Sequence, residues 1–234
     1  MTDDIAASDR LIFALDVPEP SQARELAEEL GDAVTFYKLG LELMMAGGYF
    51  ELIDWLVARE KKIFVDLKFF DVPATVGRAV ARLASRGVTF TTVHGNQGIM
   101  EAAASAKGDL RILAVTALTS LDRGDLDDLG FQCDVRELVL SRARRALEAG
   151  CDGVVASGLE LVAMRETVDQ RLLVVTPGIR PVENRPSDDQ KRVVTVEQAF
   201  TDGADYIVVG RPIRDADDRR AAAEAIQNTI AGLV

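Results

Sequence analysis

The chain has 234 residues, with 27 Lys and Arg against 38 Asp and Glu, a formal charge of −11 with its single histidine neutral. Apolar residues make up 48% and charged residues 28%, enough to enclose one large core and too apolar for a disordered chain. The acidic balance argues against nucleic acid as a partner, because duplex binding needs clustered Lys and Arg to displace counterions.

No apolar run reaches the roughly 18 residues that a membrane span requires. The acidic start Met1-Thr2-Asp3-Asp4 lacks the basic region of a signal peptide. No membrane partner and a cytoplasmic location are therefore expected. Cys133 and Cys151 are too few for a disulfide framework and match no metal-ligand spacing, so both read as reduced and structural. His94 is the lone imidazole, which makes serine triads and HExxH metal sites poor readings. With no partner carboxylate visible in the sequence, it reads as a hydrogen-bonded structural residue.

Short β-branched runs alternate with stretches of helical period. The strands read as Leu11 to Asp16, Val34 to Leu39, Ile63 to Lys68, Thr89 to His94, Arg111 to Thr116, Gly153 to Ala156, Leu172 to Thr176 and Tyr206 to Val209. Helical patterns lie between them, at Ser21 to Leu30, Thr75 to Arg86 and Arg136 to Ala149, with a last one from Ala216 to Ile230. Glycines 31, 87, 150 and 203 mark helix ends. Eight strand–helix units with no dividing linker predict a single-domain (β/α)8 TIM barrel over residues 1–234, a fold of typically about 250 residues. No GxGxxG or GxxxxGK[ST] follows the first strand, so no dinucleotide or NTP cradle is expected. The histidine and cysteine content likewise predicts no metal and no cofactor.

In such a barrel, chemistry sits at the C-terminal strand ends. Strand one ends in Asp16, strand two carries Lys38, and strand three ends in Asp66-Leu67-Lys68, followed by Phe69-Phe70-Asp71-Val72-Pro73-Ala74-Thr75. Strand side chains alternate faces, so Asp66 and Lys68 point the same way, toward the barrel mouth. An ion-paired filling layer is the bland alternative, but barrel layers are usually Val, Ile and Leu, and four desolvated charges are costly. A second group comes from the last two units: Thr176-Pro177-Gly178-Ile179-Arg180-Pro181 opens a long polar loop through Asp188-Asp189-Gln190-Lys191-Arg192, and strand eight runs into Gly210-Arg211-Pro212. Glycine admits backbone N–H groups to a phosphate and a following Arg adds a charge-assisted contact, so this corner reads as a phosphate site with a closing lid. Met44 and Met45 read as core or dimer packing.

From Leu11 to Ile213 the ordered motifs resemble orotidine 5′-phosphate decarboxylases. They are Ala14-Leu15-Asp16, Tyr37-Lys38-Leu39-Gly40, Asp66-Leu67-Lys68 with Asp71-Val72-Pro73-Ala74-Thr75, Val115-Thr116-Ala117-Leu118-Thr119-Ser120, Thr176-Pro177-Gly178-Ile179-Arg180-Pro181, Asp189-Gln190-Lys191-Arg192 and Val209-Gly210-Arg211-Pro212. The family usually has His where Phe70 stands and Asn where Ala74 stands. The resemblance implies decarboxylation of orotidine 5′-monophosphate to uridine 5′-monophosphate without a cofactor. It further implies that Asp16 binds the ribose, that Lys38, Asp66, Lys68 and Asp71 form a charged network with Lys68 as proton donor, and that Thr119 contacts the pyrimidine. By the same resemblance, Arg180, Gln190, Gly210 and Arg211 would gather around the ligand, with Gln190 and Arg211 nearest the phosphate. It implies a homodimer as well, in which Asp71 and Thr75 reach the partner's site. Two alternatives remain at this stage: a Mg2+-dependent sugar-phosphate decarboxylase or aldolase, disfavoured by Pro73-Ala74-Thr75 after the second aspartate, and a noncatalytic phosphate-binding barrel.

Overall fold

The computed structural model describes residues 5–180 and 193–234. Its elements run β1 (Leu11–Ala14), α1 (Pro20–Leu30), β2 (Phe36–Leu39), α2 (Leu41–Ala46), α3 (Tyr49–Val57), β3 (Lys62–Phe69), α4 (Pro73–Ala84), β4 (Phe90–His94), α5 (Gln97–Ala106) and β5 (Arg111–Val115). They continue with α6 (Arg123–Asp128), α7 (Val135–Glu148), β6 (Gly153–Val155), α8 (Leu161–Thr167), β7 (Leu173–Thr176), α9 (Val196–Thr201), β8 (Tyr206–Val209), α10 (Arg211–Arg214) and α11 (Arg219–Ala231). All eight strands pair in parallel with their neighbours in sequence, and β8 closes on β1, which makes a TIM barrel.

The expected strands are all present, with shifted ends. β1 stops at Ala14, leaving Asp16 in the loop beyond it, and β3 runs one residue past Lys68. The last helix, expected from Ala216, begins at Arg219: a separate short α10 ends at Arg214 before it, and α11 starts where the Asp218 carboxylate accepts the Ala221 N–H at 2.9 Å. α4 begins two residues before the expected Thr75, because Pro73 suits the first helical turn, where no N–H partner is needed.

Alternation along each strand builds two cores. Outward residues such as Phe13, Tyr37, Ile63, Val65, Val174 and Ile207 pack under the helices. Inward residues Ile12, Phe36, Phe64, Phe90, Leu113, Leu173, Val175, Tyr206 and Val208 fill the barrel. Aromatic rings plug its lower half, with Phe90 5.1 Å from both Phe36 and Tyr206 and 6.1 Å from Phe64. That dry plug leaves the C-terminal end as the open face.

Candidate active site

The same inward rows turn polar above the plug. Two residues beyond Phe36 comes Lys38, two beyond Phe64 comes Asp66, and two beyond Ala14 comes Asp16. Their side chains form one row of alternating charge. Lys38 Nζ donates to Asp16 Oδ1 at 3.0 Å and lies 3.7 Å from Asp66 Oδ2, while Lys68 Nζ donates to the same Asp66 Oδ2 at 2.9 Å. The Lys38 and Asp66 side chains are each only 12% exposed, so neither charge is shielded by bulk water.

Each buried charge is held by its opposites. Burial alone would lower the pKa of Lys38, but the Asp66 and Asp16 carboxylates outweigh it and raise the value above the ordinary lysine range. Burial alone would raise the pKa of Asp66; Lys38, Lys68 and the Thr92 hydroxyl together hold it below the usual carboxylate value. Lys68 reaches Asp66 through a local irregularity. The β3–β4 register shifts between Val65 and Phe69, and Lys68 adopts a left-handed backbone with φ 48°.

These charges floor a cavity of about 470 Å³ at the C-terminal face. Asp16, Lys38, Asp66, Lys68, Thr119, Arg180, Gly210 and Arg211 all line it, so eight of the expected site residues meet in one place. Gly210 and Gly40 flank the Asp16 carboxylate. A Cβ at Gly40 would stand 3.4 Å from Lys38 Nζ and 3.6 Å from Asp16 Oδ1, close to both charged groups. Gly178 has φ 78°, a conformation that suits glycine. The base of the long loop is tied by Arg180 N–H to Val194 O at 3.0 Å and Val194 N–H to Gly178 O at 3.2 Å. Gln190 and the rest of the expected lid, residues 181–192, lie outside the described residues.

Asp71 and Thr75 do not line the cavity. Asp71 is exposed and its carboxylate accepts the Val72 N–H, while the Thr75 hydroxyl in the first turn of α4 accepts from Arg78 at 3.2 Å. Phe70 and Val72, on either side of Asp71, are 66% and 64% exposed. His94 keeps a hydrogen bond with the Asn96 side chain, while its Nδ1 is buried with no hydrogen-bond partner among the described residues and its ring packs 4.7 Å from Phe70. Met44 packs against the core, whereas Met45 is exposed. No group of three or more acidic, His or Cys residues that could hold a metal occurs among the described residues. No described helix is long and apolar enough to cross a membrane.

Two site residues escaped the sequence reading. Arg214 lines the cavity and donates from Nη1 to the Asp16 carbonyl at 2.8 Å; in sequence it is one more charge on a helix. Thr92 is fully buried on β4 and bonds both Asp66 and Lys68. Its inward direction followed from counting by two from Phe90, but threonine in a strand reads as ordinary β sequence.

Residues 9–226 match the Orotidine 5′-phosphate decarboxylase / HUMPS family. The chain is 70% identical over 226 residues to the orotidine 5′-phosphate decarboxylase of Methylococcus capsulatus, covering 97% of this chain and 93% of that protein. It is 52% identical over 228 residues to the Xanthomonas euvesicatoria enzyme of the same name, with the same coverage of each. The crystal structure of orotidine 5′-phosphate decarboxylase from Lactobacillus acidophilus is similar throughout, with a TM-score of 0.84 and 36% identity, covering 95% of this chain and 99% of that one.

Proposed function

The chain belongs to the orotidine 5′-phosphate decarboxylase / HUMPS family, and from that premise we propose that the row Asp16, Lys38, Asp66, Lys68 carries its chemistry. The reaction is conversion of orotidine 5′-monophosphate (OMP) to uridine 5′-monophosphate (UMP) and CO2 in pyrimidine biosynthesis. One observation supports the assignment of roles most strongly: the Lys68 ammonium and the buried Asp66 carboxylate face the cavity 2.9 Å apart.

Loss of CO2 from C6 of the pyrimidine leaves an electron pair in an sp2 orbital orthogonal to the ring π system. Ring delocalisation therefore does not absorb the charge, and stabilisation falls to placed charges. In this reading the Lys68 ammonium opposes the developing negative charge at C6 and then gives that carbon the proton that replaces CO2. Asp66 holds the ammonium in place, and its own charge disfavours the substrate carboxylate beside it. Lys38 couples Asp66 to Asp16, which binds the ribose. Thr119 contacts the pyrimidine.

The phosphate goes to the corner between β7 and β8, with Arg180, Gly210 and Arg211 and, from the loop outside the described residues, Gln190. Binding energy gained there offsets the stress at the reacting carbon. Asp71 and Thr75 serve the neighbouring subunit of a homodimer. The exposed Phe70 and Val72 beside Asp71 favour that arrangement, because a two-fold contact between loops would cover them. One chain-long barrel, residues 1–234, forms the catalytic domain, and the free thiols of Cys133 and Cys151 accord with a reducing, cytoplasmic setting.

Following the ultraviolet absorbance of OMP with purified protein tests the whole reading. Loss of the orotate chromophore that survives EDTA supports it. No loss, or a loss of activity on chelation restored by Mg2+, would contradict it.

A further inference from the structure

Thr92 stands at the junction of the two groups on which the proposed chemistry depends. Its hydroxyl is fully buried, and it has one proton and acceptor lone pairs to use. The proton goes to Asp66 Oδ1 at 2.9 Å, and the oxygen accepts the backbone N–H of Lys68, also at 2.9 Å. Asp66 is thereby oriented: one oxygen faces Thr92, and the other faces Lys68 Nζ at 2.9 Å and Lys38 Nζ at 3.7 Å. Thr92 also secures the Lys68 N–H where the β3–β4 ladder loses its regular register and Lys68 has φ 48°. The neighbouring Thr91 makes a useful contrast, since its hydroxyl donates only to the Val65 carbonyl, away from the charged row.

We propose that Thr92 is a positioning residue for the decarboxylation, its single hydroxyl locking the Asp66 carboxylate and the bulged Lys68 backbone into one register. This rests on the assignment of Lys68 as the acid. Without the hydroxyl, the Lys68 N–H loses its partner, the carboxylate is free to rotate, and the ammonium drifts from the line of C6. Near-attack geometry is sensitive to such displacements, so the loss belongs to the chemical step more than to substrate capture.

The test compares Thr92→Val, which is close in shape and lacks the hydroxyl, with Thr92→Ser, which keeps the hydroxyl and lacks the methyl. Wild type, assayed in parallel, must turn over OMP; failure there defeats the functional reading itself. The proposal predicts that Thr92→Val lowers kcat by about tenfold or more, the scale of a hydrogen bond to a charged group. Its affinity for UMP should remain within about threefold of wild type, and Thr92→Ser should recover most of kcat. Should Thr92→Val fail to fold, Thr92→Ala replaces it. The proposal is overturned if the variant lacking the hydroxyl keeps near-normal kcat, if UMP binding falls in parallel with kcat, or if Thr92→Ser is as impaired as that variant, which would make packing of the methyl the feature that matters.

Discussion

Lys68 Nζ lies 2.9 Å from Asp66 Oδ2 although Lys68 has a left-handed backbone, an arrangement that L-residues other than Asn and Asp seldom adopt. Residues two apart on a regular strand share a face but stand roughly 6 to 7 Å apart along it. The register shift between Val65 and Phe69 and the φ of 48° bring the ammonium back over the carboxylate. Strain held at a reacting group predicts a trade between stability and activity.

Lys68→Gly should therefore be more stable than Lys68→Ala, by about 1 kcal/mol, because glycine adopts the left-handed conformation without a Cβ penalty. Urea unfolding of the two variants checks this. Equal stability, or a more stable alanine variant, would mean that the position stores no backbone strain.

Protonation of His94 should weaken the fold. Burial lowers its pKa below the ordinary 6.5, and the charges of Arg142 and Lys68 add to that, with only Asn96 acting the other way. The packed face of Phe70 offers the imidazolium no anionic partner. With the folded value below the unfolded one, the unfolded state takes up the proton first. The stabilising contribution is complete above about pH 6.5 and is lost as pH falls through the folded value. Urea midpoints measured from about pH 7.5 down to about pH 5 should fall more steeply for wild type than for His94→Gln. Parallel curves would assign the acid sensitivity to other groups.

Arg211→Ala should separate the phosphate from the rest of the substrate. Loss of a charge-assisted contact to the dianion should reduce kcat/KM for OMP on the order of 100-fold, while the unphosphorylated nucleoside orotidine is affected about threefold at most. Equal losses for the two substrates would place Arg211 in support of the fold or the ring.

Asp71 supplies a test of shared sites. Lys68→Ala and Asp71→Ala homodimers should each be severely impaired, but a hybrid has one site with both lesions and one with neither. Random reassortment of equal amounts makes about half the dimers hybrids, so activity should recover to about a quarter of wild type. Confirmed subunit exchange with no recovery would return Asp71 to its own chain.

Much of the site follows from counting by two. Ile12, Ala14 and Asp16 share one inward row, as do Phe36 and Lys38, and Phe64 and Asp66, so the polar ends of apolar rows mark where a filled barrel becomes a pocket. The bulge at Lys68 was not legible, because nothing in a lysine signals a positive φ. Arg214 stayed hidden for another reason: its partner is the backbone carbonyl of Asp16, 198 positions earlier, and a carbonyl has no sequence signature. Thr92 faced the right way by parity, but its role depends on the bulge on the adjacent strand. The start of α11 falls three residues beyond the expected Ala216, because the helical period extends back into the turn before Asp218, and the Asp218 cap is a single polar residue among several.

Whether the Lys68 ammonium stabilises the charge at C6 and protonates it is decided by the turnover of OMP by Lys68→Ala, measured alongside UMP affinity. kcat should fall by about 10⁴-fold or more, since proton transfer and charge stabilisation are lost together, with UMP affinity changed by about tenfold at most. A folded Lys68→Ala enzyme that decarboxylates OMP at near-normal rate would contradict it.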